Sequence, residues 1–228
     1  MGKLEKTLQA IGIAAPAPRY ERAWDAMESL SRSKGPMAGY ATALLTMPRS
    51  SAAMDGVDEF VRGNGVILGP PIGRGRESIV FSAPSSGSAP ESVLKIQMHG
   101  AGRGFELPVG VDGVAGYWAK DRIGPGLLVA LQPRAARVLD PNVRSRLGGL
   151  AEEGRWIDMA DAVHRSLAAR GMQWSDPHSG NIGIMPDGNL AAIDGSVRAW
   201  PAGDPVPDSL NMSAEDAIRL LRVPPRKQ

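Results

Sequence analysis

The chain contains no cysteine, which removes disulfides, thiolate metal sites and a cysteine nucleophile from consideration. Histidine is scarce. His99, His164 and His178 are the whole supply, too scattered for a multi-histidine zinc centre. No stretch approaches the ~18 apolar residues of a membrane span, and the N-terminus lacks the apolar core of a secretion signal. Met1-Gly2 opens like a myristoylation signal, but Lys6 stands where Ser or Thr is required. Basic residues never form a run of five, and the net charge is only +2 despite a pI near 9.1. No nucleic-acid partner and no membrane partner are therefore expected, and the expected location is cytoplasmic. Internal repeats are absent too.

What is present is ordinary globular material. Of 228 residues, 43% are apolar and 22% charged, enough to bury a core in one domain with an appendage or in two small ones. The 28 glycines and 19 prolines predict many turns and interrupted helices. Residues 1–60 read as helical with breaks. Tyr20, Trp24, Met27 and Leu30 recur on one helical face, and Met37–Met47 offers a second, shorter helix. Gly35-Pro36 and the run Pro48–Ala53 punctuate them.

From about residue 65 the pattern turns to strands. Val66–Leu68, Ile79–Phe81, Val93–Gln97, Leu127–Leu131 and Ala135–Leu139 give five, with one short helix expected at Gly113–Arg122. That order predicts a mostly antiparallel sheet. Trp156, Met159, Val163 and Leu167 then form a helical stripe closed by Gly171. Ile182–Ile184 and Leu190–Ile193 read as a hairpin around Pro186-Asp-Gly-Asn189. A last helix is expected near Ser213–Arg222, with Ser213 and Asp216 at capping-box spacing.

Four short motifs carry chemistry. Gly73-Arg-Gly75 through Ser78 and Val80 has the spacing G-x-G-x-x-S-x-V. A dinucleotide-binding loop must open into a helix, whereas Ser78–Ser82 is β-like, and G-x-x-x-x-G-K-[ST] is nowhere present. What remains is a strand–turn–strand whose backbone N–H groups cover a nucleotide's phosphates. That reading demands a lysine on the following strand, and Lys95 stands in Val-Leu-Lys-Ile. It demands D-x-x-x-x-N further on, supplied by Asp176 and Asn181 in WSDPHSGN, and then a metal-binding Asp followed by Gly, supplied by Asp194-Gly195. Asp176 would accept the acceptor hydroxyl's proton, Asn181 and Asp194 would hold Mg²⁺, and Lys95 would neutralise phosphate charge. Adenine is expected near Val138–Pro141. Each motif has a plain alternative: a solvated strand lysine, turn-capping Asp and Asn residues, an ordinary hairpin glycine pair. His178 is expected to bond backbone within its loop.

From Leu68 to Ser196 the chain resembles the protein-kinase-like fold. Asp176-Pro-His-Ser-Gly-Asn181 is closer to the D-x-H-x-G-N of aminoglycoside-phosphotransferase-like and atypical kinases than to D-L-K-P-E-N, and most resembles the early protein kinases of T7-like podoviruses. Small bacterial effector kinases share the abbreviated plan. The resemblance implies an α+β, bilobal fold with a five-stranded antiparallel N-lobe, a truncated C-lobe and N-terminal helices. The corresponding divisions are a helical extension over 1–60, an N-lobe over 61–141 and a C-lobe over 142–228. It implies ATP and Mg²⁺ as cofactors and Ser/Thr phosphorylation of host proteins as the activity; a small-molecule phosphotransferase of the aminoglycoside or choline type and a pseudokinase binding module are the alternatives. Departures are visible. Trp174-Ser175 replaces His-Arg before the Asp, Gly195-Ser196 replaces Phe-Gly after the metal Asp, and Ser78 replaces the third loop glycine. Glu106 and Asp112 are the candidate partners of Lys95. Only residues 195–228 follow the metal Asp, so activity is expected to be constitutive or partner-dependent rather than switched by an activation loop.

Overall fold

A computed structural model describes residues 19–74, 78–85, 91–98, 106–124, 126–139, 149–207, 210 and 212–222. These form two compact units, one from the described parts of 1–98 with 121–129, the other from those of 99–120 with 130–228. The fold is mixed α+β: several helices accompany a five-stranded antiparallel sheet.

The first unit opens with three helices, α1 (Ala23–Ser31), α2 (Ala38–Thr46) and α3 (Ser50–Gly63). On α1 the buried stripe is Ala23, Ala26, Met27 and Leu30, while Trp24 is only partly covered. Helix α3 begins inside the stretch expected to break the chain. Its Ala53, Met54, Val57 and Val61 make a stripe that outweighs the Pro-Ser punctuation before it. The turn is absorbed by Arg49, at φ 60 the one non-glycine with left-handed backbone among the described residues. Arg22, at the N-cap of α1, supplies no side-chain cap. Asp58 on α3 does this instead, accepting from the Ala23 N–H at 2.6 Å and tying the two helices together.

The sheet runs β1 (Pro71–Arg74), β2 (Ser78–Ala83), β3 (Ser92–Met98), β4 (Ala119–Ile123) and β5 (Leu127–Pro133), in the order β1-β2-β3-β5-β4. Two members differ from the expected set: Pro71–Arg74 stands in place of Val66–Leu68, which contributes only isolated bridges, and the polar strand Ala119–Ile123 stands in place of Ala135–Leu139. The helix expected at Gly113–Arg122 does not form. Gly113 has φ +77, and Gly116 lies so close to the Pro108 carbonyl that a Cβ would sit 2.4 Å from its oxygen. Tyr117 and Trp118 spend their N–H groups on Leu107 and Leu131. A helix has no hydrogen bonds left to make there.

The second unit is built on α4 (Gly149–Ala168), whose Trp156, Met159, Ala160, Val163 and Leu167 are all buried. Gly171 follows at φ +68, the left-handed stop read from the sequence. Two small ladders come next. β6 (Arg137–Val138), β8 (Ile182–Ile184) and β9 (Leu190–Ala192) form one, and β7 (Met172–Trp174) pairs antiparallel with β10 (Val197–Ala199) in the other. The expected hairpin is therefore β8–β9. Arg137, whose guanidinium lies over the Trp156 ring, also pairs with Glu152. Helix α5 (Ala214–Leu220) closes the described chain, with the Ser213 hydroxyl accepting from the Asp216 N–H at 3.1 Å. Among the described residues no helix is long and apolar enough to cross a membrane.

Candidate functional site

In the first unit the glycine-rich hairpin and the lysine strand are neighbours in one ladder. Gly73 pairs with Val80, and Val80 with Lys95. Directly opposed residues of an antiparallel pair share a face, so Val80 and Lys95 point to the same side, Ile79, Phe81, Leu94 and Ile96 to the other. Ser78 is buried, opposite Gln97. Lys95 is only 3% exposed, which excludes a solvated strand lysine. Gly73 has no left-handed φ, and a Cβ added there would meet nothing within 4 Å. Nothing in the described protein demands a glycine at this position. Arg74 ends β1; Gly75 and Arg76 lie outside the described residues, as does Pro141 of the expected adenine connection.

The second unit explains WSDPHSGN almost residue by residue. Strand β7 delivers Trp174, which is 2% exposed and donates its indole N–H to the Asp194 carbonyl at 3.0 Å. Ser175 adds two links to the same neighbouring loop: its N–H donates to the Ser196 carbonyl at 2.9 Å, and its Oγ accepts from the Ser196 N–H at 3.0 Å. The β7–β10 ladder continues the seam, with Trp174 opposite Val197. The residues that replace His-Arg before Asp176 therefore lock the two candidate loops together.

Asp176 itself stays open, its side chain 62% exposed. Asn181, 7% exposed, donates its amide to the Asp176 carbonyl at 3.1 Å and to Asp176 Oδ2 at 2.9 Å. One chain bond further on, the Asn181 carbonyl accepts from the Ile193 N–H at 2.8 Å, next to Asp194. Asp194 Oδ1 accepts from the Gly195 N–H at 2.8 Å. Gly195 has φ +86, and a Cβ there would sit 2.9 Å from Trp174 Nε1 and 3.3 Å from Asp176 Cβ. The glycine after Asp194 is thus required by both its backbone and its neighbours. Asp176, Asn181 and Asp194 come together on two abutting loops.

Three features escaped sequence reading. The segment after β3 runs beside the Asp194 loop: Val197 N–H donates to Glu106, while Ala115 donates to Ala192 and Ala192 to Gly113. No sequence signal marks this, because all of it is backbone. Tyr117 is buried close to Asp194; burial first, and the Asp194 charge second, hold its phenol well above the ordinary range. Gln132, on β5, donates to the Ile193 carbonyl at 3.1 Å. Of the candidate partners of Lys95, Glu106 is exposed, and Asp112 faces Arg170 at 3.7 Å, while its carbonyl accepts from the same guanidinium at 2.6 Å.

The family-level comparisons are silent. No family model matches this sequence, and no curated protein matches it. Among solved structures the chain is similar to "ROP18 kinase domain in complex with AMP-PNP and sucrose", at 17% identity and a TM-score of 0.39. That match covers 59% of this chain and 52% of the other, so it spans about half the length of the solved domain.

Whether the residues suit a divalent cation can be judged from their donors. Among the described residues no group of three or more His, Asp and Glu side chains is placed to hold a metal ion. Mg²⁺ needs no such cage, since it keeps several waters and is held by one or two carboxylates plus substrate phosphates. Asn181 spends its amide nitrogen on Asp176, so its Oδ1 and the Asp194 carboxylate are the hard oxygen donors these two loops could offer. The donor set fits Mg²⁺ bound together with phosphate.

Proposed function

We propose that the chain is a phosphotransferase dependent on ATP and Mg²⁺, namely a minimal protein serine/threonine kinase of the podovirus or effector type that acts on host proteins. The observation that carries this reading is the meeting of Asp176, Asn181 and Asp194, from either side of the β8–β9 hairpin, on loops held together by Trp174, Ser175 and Gly195. Support also comes from a buried Lys95 on the strand next to the glycine hairpin, and from Gly73, whose missing side chain serves no packing purpose among the described residues and leaves room for a phosphate.

In this reading Asp176 presents Oδ1 to the acceptor hydroxyl, while Oδ2 is held by Asn181. The hydroxyl oxygen attacks the γ-phosphorus, the bond to the β–γ bridging oxygen breaks, ADP leaves, and the hydroxyl proton passes to the Asp176 carboxylate. Asn181 and Asp194 would hold Mg²⁺, which when bound supplies charge neutralisation on the phosphates. The same reading assigns phosphate contacts to Lys95, Gly73, Arg74, Ser78 and Val80 of the first unit, and to Gly75, which lies outside the described residues.

The test is transfer of labelled γ-phosphate in a host lysate with Mg²⁺. The wild-type chain is expected to label protein bands, and Asp176→Ala to abolish them. Label confined to small metabolites redirects the acceptor class to the aminoglycoside or choline type. No transfer by the wild-type chain overturns the reading in favour of a binding module.

A further inference from the structure

We propose that His178 is a positioning residue for the Asp176 carboxylate, acting through its Nε2–H; this rests on the role assigned to Asp176 above. The other ring nitrogen fixes the tautomer. His178 Nδ1 lies 3.0 Å from the Gly180 N–H, which can only donate. Nδ1 must therefore present a lone pair, and the neutral ring carries its proton on Nε2. That nitrogen faces Asp176 Oδ2 at 3.4 Å. The separation is longer than a formed hydrogen bond, and catalytic contacts of this kind commonly tighten only once the reactants are bound.

Two further observations show that the imidazole is held for this purpose rather than for packing. The His178 side chain is 51% exposed and lines a cavity of about 370 Å³ with Ile157, Ala160, His164 and Pro177, so it is no core residue. Gly180 is shaped around the ring. A Cβ at 180 would stand 3.1 Å from His178 Cε1 and 3.2 Å from Nδ1, tighter than ordinary contact. The loop thus spends a glycine on keeping the imidazole folded back over Asp176. Asn181 already holds Oδ2, and His178 Nε2 stands ready to join it once the reactants are bound, so that the carboxylate is steadied and Oδ1 is left to the acceptor hydroxyl.

The two nitrogens can be tested separately. His178→Asn keeps an acceptor near the Nδ1 position for the Gly180 N–H but offers no donor at Nε2; His178→Gln reaches the Nε2 position but loses the Nδ1 acceptor. In the labelled-ATP assay His178→Asn is expected to melt with wild type yet lose about tenfold in kcat at unchanged KM for ATP. His178→Gln is expected to recover most of that loss although it melts lower. A His178→Asn variant as active as wild type, or a His178→Gln variant no better than it, overturns the proposal. Long-range ¹⁵N spectra of the imidazole need no activity. They are expected to show the proton on Nε2, with a signal that moves in Asp176→Asn. If that signal moves while wild type transfers no phosphate, the functional reading fails and the contact stands. If wild type is active and the signal does not move, or the proton sits on Nδ1, the present inference alone fails.

Discussion

Replacing Gly195 by alanine separates backbone strain from the crowding that joins the two loops. A matched control exists in Gly188, in the β8–β9 turn: the two have nearly identical positive φ, +86 and +84, but a Cβ at 188 meets nothing within 4 Å. Forcing an alanine into left-handed backbone costs about 1–2 kcal/mol, and this applies to both variants. At 195 the new methyl would also stand 2.9 Å from Trp174 Nε1. The indole is 2% exposed and has nowhere to retreat. Displacing it breaks the bond to the Asp194 carbonyl and strands a buried donor, which costs about 1–3 kcal/mol more. For a chain of this size that extra amount is roughly 2–12 °C in melting temperature. Thermal and urea unfolding of the two variants, side by side, measure it. Gly195→Ala is expected to melt clearly below Gly188→Ala; equal melting temperatures would refute the packing of Trp174 against Gly195.

Two further outcomes follow from titrating groups, with opposite signs. Burial, opposed by the Asp161 charge, lowers the His164 pKa from 6.5, so the unfolded chain takes up the proton first and stability falls as pH drops below 6.5. His164→Gln is expected to remove this part of the acid sensitivity in urea unfolding at pH 7.5 and 5.5, and an unchanged pH slope contradicts burial as the cause. Asp58 is shifted the other way: burial raises its pKa above 3.8, against the lowering effect of the Ala23 N–H. Its ionised form therefore weakens the fold as pH rises through the folded value. Asp58→Asn keeps the cap on α1 without a charge; it is expected to raise the melting temperature at pH 7 and to have no such advantage below pH 3.8. A lower melting temperature at pH 7 shows that the charged cap outweighs desolvation.

The sequence made the strongly patterned elements legible. The stripe from Trp156 to Leu167 with Gly171 after it, the β8–β9 hairpin and the Ser213 cap stand where their residues place them, and the five-strand count is right. The identity of two of the five strands was not legible: Pro71–Arg74 pairs where Val66–Leu68 was expected, and Ala119–Ile123 where Ala135–Leu139 was. Ala119–Ile123 is polar and mostly exposed, and it becomes a strand because the turn at Gly124 folds it back beside β5, whereas Ala135–Leu139 has the apolar look without a long partner. Helix α3 was hidden by Pro48 and two serines, although Ser50 opens a helix as readily as it ends one. At the candidate site, residue type and spacing suggested Asp176, Asn181 and Asp194, but nothing in the spacing foretold how they meet. That depends on a buried indole, a serine hydroxyl and three-residue strands too short to carry a period.

Divalent-dependent nucleotide binding tests the central claim most directly. Calorimetric titration of ATP into the wild-type chain, with Mg²⁺ and with chelator, is compared with the same titrations of Asp194→Asn. The account predicts binding that requires Mg²⁺ and weakens on the order of tenfold or more when the Asp194 charge is removed. Equal binding in all four titrations, or none with the wild type at millimolar ATP and Mg²⁺, would contradict it.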